Sequence, residues 1–306
     1  MDGGDKLRIG IIGLGDIARK AYLPTLLSRP GVDPYLMTRD ATKLAGLAEA
    51  HRVPVDHCFT DLDALLERPL DAAFVHAPTD QHVSIAERLI DEGIALYVDK
   101  PLDSTLEGAR RVVERAERAG VTLMVGFNRR YAPGYVKARE APRDLVVLQK
   151  NQPGIPGSPR TVVYDDFIHV VDTLRFLAPG EIRRADVTAR VEAGDLHHVT
   201  LRLAGDGFTL LGLMSRFGGA KEERLEVTGG GRKRVVIGLA EEIDHDGGTT
   251  VTRRGDWTPV ARQRGIEQAC SVFLDAVREG RPLDARDALR THELCERVVV
   301  AIEAEG

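Results

Sequence analysis

The stretch that decides the fold is Leu7-Arg8-Ile9-Gly10-Ile11-Ile12-Gly13-Leu14-Gly15-Asp16-Ile17-Ala18. Its first seven residues form an apolar run ending in glycine, which predicts a buried strand. Gly13-Leu14-Gly15-Asp16-Ile17-Ala18 then reads G-x-G-x-x-A, and a helical pattern runs from Asp16 to about Arg29. The first glycine permits a tight turn, the second admits a pyrophosphate, and the alanine lets the helix pack closely on the strand. This context favours a nucleotide-binding loop over a plain turn between strand and helix.

The choice of cofactor is read at the end of the second predicted strand, Tyr35 to Arg39. An acidic residue there accepts the ribose hydroxyls of NAD, whereas an arginine accommodates the 2′-phosphate of NADP. This chain offers Thr38 and Arg39. Asp40 precedes a helical run and suits an N-cap. The pattern favours NADP, with NAD as the alternative.

Strand and helix patterns alternate throughout residues 1–128. The further predicted strands are Asp71–Ala77, Ala95–Asp99 and Val121–Phe127, and the predicted helices are Asp40–Arg52, Gln81–Glu92 and Ser104–Ala119. Such alternation indicates βαβ units and a parallel sheet. We therefore predict a dinucleotide-binding α/β domain over residues 1–128.

Residues 129–306 show a different pattern and are predicted to form an α+β domain with a mostly antiparallel open sheet. The predicted strands are Leu145–Lys150, Ala185–Ala193, Val199–Leu203, Phe208–Ser215, Arg224–Thr228 and Arg232–Gly238; the helices are Ala132–Ala141, Asp165–Leu177, Gln263–Glu279 and Asp284–Glu303, the last two covering about 263–304. An open sheet leaves one face to cover. We expect that face to join chains into a homodimer or higher homo-oligomer.

Composition excludes several classes of protein. Of 306 residues, 43% are hydrophobic and 29% charged, and the net charge is −5, so no basic surface for nucleic acid is expected. No apolar run approaches the roughly 18 residues of a membrane helix. Met1–Asp5 lacks the features of a secretory signal. The three cysteines form no CxxC pair. A cytoplasmic protein with three reduced thiols is expected.

Several motifs, in order along the chain, resemble the Gfo/Idh/MocA family of nucleotide-dependent oxidoreductases. They are Gly13-Leu14-Gly15-Asp16-Ile17-Ala18, Pro78-x-x-x-His82, Asp99-Lys100-Pro101, the run 124–130 (Met-Val-Gly-Phe-Asn-Arg-Arg) and Asp165-x-x-x-His169-x-x-Asp172. The resemblance is greatest to the short MviM-type branch. It implies a Rossmann domain joined to an α+β domain, and hydride transfer on sugars, cyclitols or related hydroxy or keto compounds.

The resemblance also implies residue roles. Lys100 would reach the reacting oxygen of the substrate and border the cofactor, with Pro78 and His82 beside the cofactor. Two positions depart from the family pattern: Asp99 replaces a glutamate, and Phe167 replaces a glycine. The Phe167 ring is expected to narrow the substrate pocket or displace substrate.

At 100° per residue, Asp165, His169 and Asp172 share one face of their predicted helix. Ketone reduction places negative charge on oxygen, which an ammonium or imidazolium stabilises and protonates. His169 suits that duty near neutral pH, and Asp165 would orient it. For an arbitrary helix a solvated polar face is the alternative. No metal site is predicted, because three ligands on one short face splay apart.

The predicted catalytic residues are therefore Lys100, His169 and Asp165, and the predicted substrate-binding residues are Asp172, Phe167 and Arg129. The predicted cofactor-binding residues are Gly13, Gly15, Asp16, Ile17, Ala18, Thr38, Arg39, Pro78, His82 and Lys100. The predicted function is an NAD(P)-dependent dehydrogenase or reductase acting on a CH–OH group of a small molecule. The alternative is a non-catalytic dinucleotide-binding sensor, which Phe167 favours.

Overall fold

A computed structural model describes residues 6–155 and 157–305, which fold as two compact units. The first unit runs to Gly126 and also contains Ile266–Leu289. The second comprises Phe127–Gly265 and the chain from Arg290 onward. The expectation for Met1–Asp5 concerns residues outside the described ranges.

The first unit is built on a fully parallel six-stranded sheet. Its strands are β1 (Leu7–Ile12), β2 (Val32–Met37), β3 (Cys58–Phe59), β4 (Ala72–Val75), β5 (Ala95–Val98) and β6 (Leu123–Val125). The helices are α1 (Leu23–Leu27, after a π-helical turn at Ala18–Tyr22), α2 (Ala41–His51), α3 (Leu62–Leu66), α4 (Thr79–Asp91) and α5 (Leu106–Ala119). The strand order β3-β2-β1-β4-β5-β6 reverses direction between β1 and β4, where such sheets bind ligands at their carboxyl edge.

Local sequence explains why these elements begin and end where they do. Strands β4 and β5 are short apolar runs, buried because helices cover both faces of a parallel sheet. The Asp40 side chain accepts a hydrogen bond from the Lys43 amide at 2.9 Å, which confirms the predicted N-cap of α2. Thr105 caps α5 in the same way, and Gly120 ends it in the left-handed conformation.

The second unit contains an eight-stranded sheet of order β14-β13-β12-β11-β7-β10-β9-β8. Its strands are β7 (Leu145–Asn151), β8 (Arg184–Glu192), β9 (Asp195–Gly205), β10 (Phe208–Ser215), β11 (Glu222–Gly229), β12 (Arg232–Ile237), β13 (Glu241–His245) and β14 (Thr249–Arg253). All neighbours pair antiparallel except β10 and β7. The predicted fold class, a Rossmann domain followed by a mostly antiparallel sheet domain, is confirmed.

Within the segment Phe127–Gly265 of this unit, the helices are α6 (Pro133–Glu140), α7 (Pro159–Val162), α8 (Ile168–Leu177) and α9 (Val260–Gln263). A π-helical turn, Val163–Phe167, joins α7 to α8. The helix predicted to begin at Asp165 therefore begins earlier, at Pro159. Helix α8 packs on β7 and β10. Gly212 on β10 permits that contact, because a Cβ atom there would lie 2.5 Å from Val170 Cγ1 and 2.8 Å from Leu174 Cδ1.

Helix α10 spans Ile266–Glu279, and α11 spans Ala285–Glu305. The sequence pattern predicts α10 as part of the second domain, but its contacts place it in the first unit. Phe273 explains this difference, because its ring packs edge-on against Phe74 at a centroid distance of 5.2 Å. The order of the elements along the chain does not reveal that α10, which follows the second unit's strands, packs back on the first unit. No helix among the described residues is long and apolar enough to cross a membrane.

Candidate active site

The glycine loop lies at the carboxyl edge of the parallel sheet, directly after β1. Gly13 has a φ of +85°, and a Cβ atom there would collide with the backbone of His76 and Ala77. Nothing lies within 4 Å of the Cβ position of Gly15, so a ligand can approach this backbone. The Ile17 side chain is 48% exposed, whereas Ala18 is fully buried and lets the helix pack closely. These features fit the pyrophosphate of a dinucleotide.

The side chains predicted to discriminate between nicotinamide cofactors follow β2, which ends at Met37. Thr38 is half-buried and Arg39 is exposed. Asp40 is engaged by α2, because it caps the helix and lies 3.7 Å from the ammonium of Lys43. A carboxylate committed to a helix N-terminus is poorly placed to accept ribose hydroxyls as well.

A buried cluster of polar side chains lies near the carboxyl edge of the parallel sheet. Its members are Tyr22, His76, Tyr97 and Asp99. The Nδ1 of His76 lies 2.8 Å from an Asp99 carboxylate oxygen, and the Tyr22 hydroxyl donates to the other oxygen at 2.9 Å. The Tyr22 and Tyr97 hydroxyls are 3.1 Å apart. Burial raises the pKa of Asp99, but His76 and Tyr22 together lower it further, so the net pKa is below its usual range. Among the described residues, no hydrogen-bond partner reaches the buried Nε2 of His76.

His82 holds the residue on the other side of Lys100. Its Nδ1 lies 2.8 Å from the carbonyl oxygen of Pro101, and its Nε2 lies 2.7 Å from that of Ala77. The ring is buried, and the Lys100–Pro101 peptide bond is cis. Lys100 itself is half-buried directly after β5. Asp99 and Pro101 are thus both anchored by buried histidines, while Pro78, also predicted beside the cofactor, is exposed at the start of α4.

The helix predicted to carry catalytic groups lies in the second unit. Asp165 is exposed in the π-helical turn and His169 is half-buried at the start of α8. Asp172 is buried; Arg130 donates to its carboxylate at 2.5–3.1 Å, and Thr291 donates at 2.9 Å. The Asp172 carboxylate is therefore occupied by hydrogen bonds from other residues of the protein. The sequence pattern predicted it instead on a polar helix face shared with Asp165 and His169.

Two further residues predicted to bind substrate are also buried. Phe167 is fully buried, so its ring packs in the core of the second unit. Arg129 is 7% exposed and donates two hydrogen bonds to Glu223, at 2.7 and 2.8 Å. The Tyr135 hydroxyl donates to the same carboxylate at 3.1 Å. Burial raises the pKa of Glu223, but Arg129 outweighs it and lowers that pKa to about 2.

Lys150, at the end of β7, belongs to a charged cluster that sequence reasoning missed. Its ammonium lies 3.2 Å from the Asp166 carboxylate, to which Arg216 also donates, at 2.5 Å. Lys150 and Arg216 are 6% and 3% exposed. Burial lowers the pKa of Lys150 to about 8, although Asp166 opposes the shift. The available signal was a lone lysine ending an apolar strand, followed by an acidic pair, Asp165-Asp166.

The protein families that match this chain agree with the two units. Residues 7–127 match the oxidoreductase family with an NAD-binding Rossmann fold, Gfo/Idh/MocA, and residues 133–242 match a YceM-like C-terminal domain. A putative oxidoreductase, YceM of Salmonella typhimurium, is 34% identical over 280 residues and covers 89% of each chain. This chain belongs to the Gfo/Idh/MocA family of oxidoreductases. The predictions of family and of an oxidoreductase enzyme are thereby confirmed.

Other similar proteins carry more specific names. An inositol 2-dehydrogenase of Paracoccus denitrificans is 30% identical over 181 residues, covering 56% of this chain and 54% of its own length. A Gfo/Idh/MocA family oxidoreductase from Vibrio cholerae superposes with a TM-score of 0.91 at 28% identity, covering 98% and 99% of the two chains. A dehydrogenase, MviM, from Clostridium difficile gives 0.89 at 28% identity, covering 97% and 99%.

Proposed function

We propose that this protein is an NADP-dependent dehydrogenase or reductase acting on a sugar, a cyclitol or a related hydroxy or keto compound. The observation that carries the proposal is the anchoring of Lys100 at the carboxyl edge of the parallel sheet. The Asp99 side chain is held by His76 and Tyr22, and the Pro101 carbonyl by His82. A lysine whose two neighbours are held in this way, at the same sheet edge as a loop that fits a pyrophosphate, suits stabilisation of a developing alkoxide.

Bound NADP would supply or accept the hydride. Gly13, Gly15 and the amides that open the first helix would hold its phosphates, and Asp16, Ile17 and Ala18 belong to the same loop. Thr38 and Arg39 would contact its 2′-phosphate, because a hydroxyl and a guanidinium both donate to phosphate oxygens.

We assign proton transfer to Lys100 and His169. Lys100 would donate a hydrogen bond to the reacting oxygen, and His169 would give or take the proton, with Asp165 orienting the imidazole. Asp172, Phe167 and Arg129 support this helix and its sheet from within the second unit. We further propose a cytoplasmic location, because Cys58 and Cys270 form no disulfide bond within the described residues.

The proposal is tested by incubating the protein with NADP or NADPH and a panel of cyclitols, aldoses, ketoses and sugar acids, while following absorbance of the reduced nicotinamide. We expect turnover of at least one compound. Lys100→Met should lower kcat by roughly 10²–10⁴, the range for a positioned proton-transfer group. The exposed lysine variant Lys137→Met is the matched control and should retain full activity. Tight NADP binding without turnover of any compound would overturn the enzyme and support the sensor.

A further inference from the structure

We infer that Lys150 forms a binding site for the carboxylate of a polyhydroxy acid, and that this acid is the class of substrate the enzyme takes. The inference rests on the proposed function, since it names the ligand of that dehydrogenase. It concerns a group of residues in the second unit that no sequence motif identifies.

Lys150 lies beside the turn that carries the proposed proton donor. It shares a face of β7 with Val146 and Leu148, the face on which α8 packs. Asp166, which holds its ammonium, lies in the π-helical turn that leads directly into α8, and His169 is the second residue of α8. A ligand that contacts the Lys150 ammonium therefore binds next to the helical turn that presents His169.

The cluster around Lys150 has one more cation than it has carboxylates. Arg129 is matched by Glu223 through two hydrogen bonds. Arg216 and Lys150 share a single carboxylate, that of Asp166. Asp166, Arg129 and Glu223 act electrostatically on Lys150, and Arg216 reaches it through the shared Asp166 carboxylate. A buried cation without a counter-charge is unfavourable, so the site favours an anion.

The Lys150 ammonium also has N–H groups that are available for further hydrogen bonds. It carries three N–H groups, and within residues 6–155 and 157–305 its hydrogen-bond partner is Asp166 alone. Two N–H groups can therefore donate to ligand oxygens. One surplus positive charge matches a carboxylate, whereas a phosphate dianion would leave a net negative charge. A carboxylate is accordingly the anion of choice.

Protonation of Lys150 provides a signature that a merely structural lysine would lack. Its pKa is lowered to about 8 because burial disfavours the charged form. A bound carboxylate favours the ammonium, so binding near pH 8 should take up a fraction of a proton. Affinity should then fall as the pH rises above 8, because the neutral amine cannot balance the anion.

The experiment compares D-gluconate with D-sorbitol, which replaces the carboxylate by a hydroxymethyl group. Calorimetry is performed without NADP, so that no hydride transfer adds heat or releases protons, at pH 7, 8 and 9.5, in buffers of different ionisation enthalpy. We expect wild type to bind gluconate at least tenfold more tightly than sorbitol at pH 7, with proton uptake at pH 8 and a smaller preference at pH 9.5.

Three variants complete the test. Lys150→Met should abolish the preference for gluconate, and Lys137→Met should preserve it. Lys150→Arg should retain the preference even at pH 9.5, because a guanidinium stays protonated. Lys150→Arg also keeps the inference testable if Lys150→Met fails to fold, because it retains a positive charge at this position. The inference is overturned if wild type binds gluconate no better than sorbitol, including no binding of either, or if Lys150→Met keeps the preference. Failure of the proposed function differs, since gluconate would bind without hydride transfer from any compound.

Discussion

Arg39 and Asp40 are neighbours with separate tasks, and their difference leads to a prediction about the cofactor. Asp40 caps α2, while the exposed Arg39 is available to a phosphate. Loss of a charge-assisted hydrogen bond costs about 1.5–3 kcal/mol. Arg39→Ala should therefore weaken NADP binding roughly 10- to 100-fold and leave NAD binding nearly unchanged, as measured by calorimetry.

Arg118→Ala, at the far end of α5, serves as the control and should bind both cofactors normally. Equal weakening of NADP and NAD in Arg39→Ala, or a preference of wild type for NAD, would contradict the NADP assignment.

Glu223 makes the stability of the second unit depend on pH. Its pKa in the folded protein is about 2, below the ordinary 4.5, so its contribution is present above pH 4.5 and is lost as the pH falls toward 2. Glu223→Gln leaves Arg129 buried without a counter-charge, at a cost of about 3–5 kcal/mol near neutral pH. Urea unfolding of wild type and variant should show this gap at pH 7 and a narrower gap at pH 2.5.

Glu49→Gln on the exposed face of α2 should change stability little at either pH. A Glu223→Gln gap that stays constant from pH 7 to pH 2.5 would show that the lost interaction is not the ion pair with Arg129.

At the scale of elements, Gly212 determines how closely α8 approaches the sheet. An added Cβ would lie 2.5 Å from Val170 Cγ1 and 2.8 Å from Leu174 Cδ1, and both side chains are buried. Overpacking of this kind costs about 1–3 kcal/mol. Gly212→Ala should therefore lower the free energy of unfolding by that amount and, by displacing the helix that carries His169, reduce kcat more than it affects binding of NADP.

Gly46 offers the matched control, because it lies within α2 and nothing lies within 4 Å of its Cβ position. Gly46→Ala should be neutral or stabilise by up to about 1 kcal/mol. Equal effects of the two substitutions would argue against tight packing of α8.

Most elements could be predicted from the sequence because their apolar periodicity is strong. The elements that the sequence did not predict have weak apolar periodicity. Strand β3 has two residues, too few for any alternation. Strands β13 and β14 are half-buried or exposed and rich in charged and threonine residues, so the hairpin that they form has no apolar alternation to mark it. The π-helical turn before α8 has no periodic signature that distinguishes it from an α-helix.

At the scale of the whole molecule, sequence reasoning identified the glycine loop and the cap at Asp40, both of which are local in the chain. It missed the pairs that depend on tertiary structure. Arg129 and Glu223 are 94 residues apart, and His76 and Asp99 are 23 apart. A spacing rule relates neighbours within one helix or strand, so such partners become evident only when the sheets have formed.

The second unit predicts how whole chains associate. The Cβ position of Gly212 faces α8, so Leu211 and Leu213 point to the opposite face of the sheet. There Leu211 pairs with Val147 on one side and Arg202 on the other. These three apolar side chains are half-buried in a single chain, and an ion pair from Arg202 to Asp186 flanks them. An apolar centre with a charged rim is typical of a protein interface.

We therefore expect a homodimer or higher homo-oligomer in solution, built on this face of the sheet. Light scattering at micromolar concentration should give at least twice the chain mass of 33.5 kDa. Leu213→Arg places a charge at the apolar centre and should yield 33.5 kDa with NADP binding intact, because the glycine loop lies in the first unit. Ala50→Arg, on the exposed side of α2, should leave the oligomer unchanged. A wild-type mass of one chain, or an oligomer unaffected by Leu213→Arg, would exclude this face as the interface.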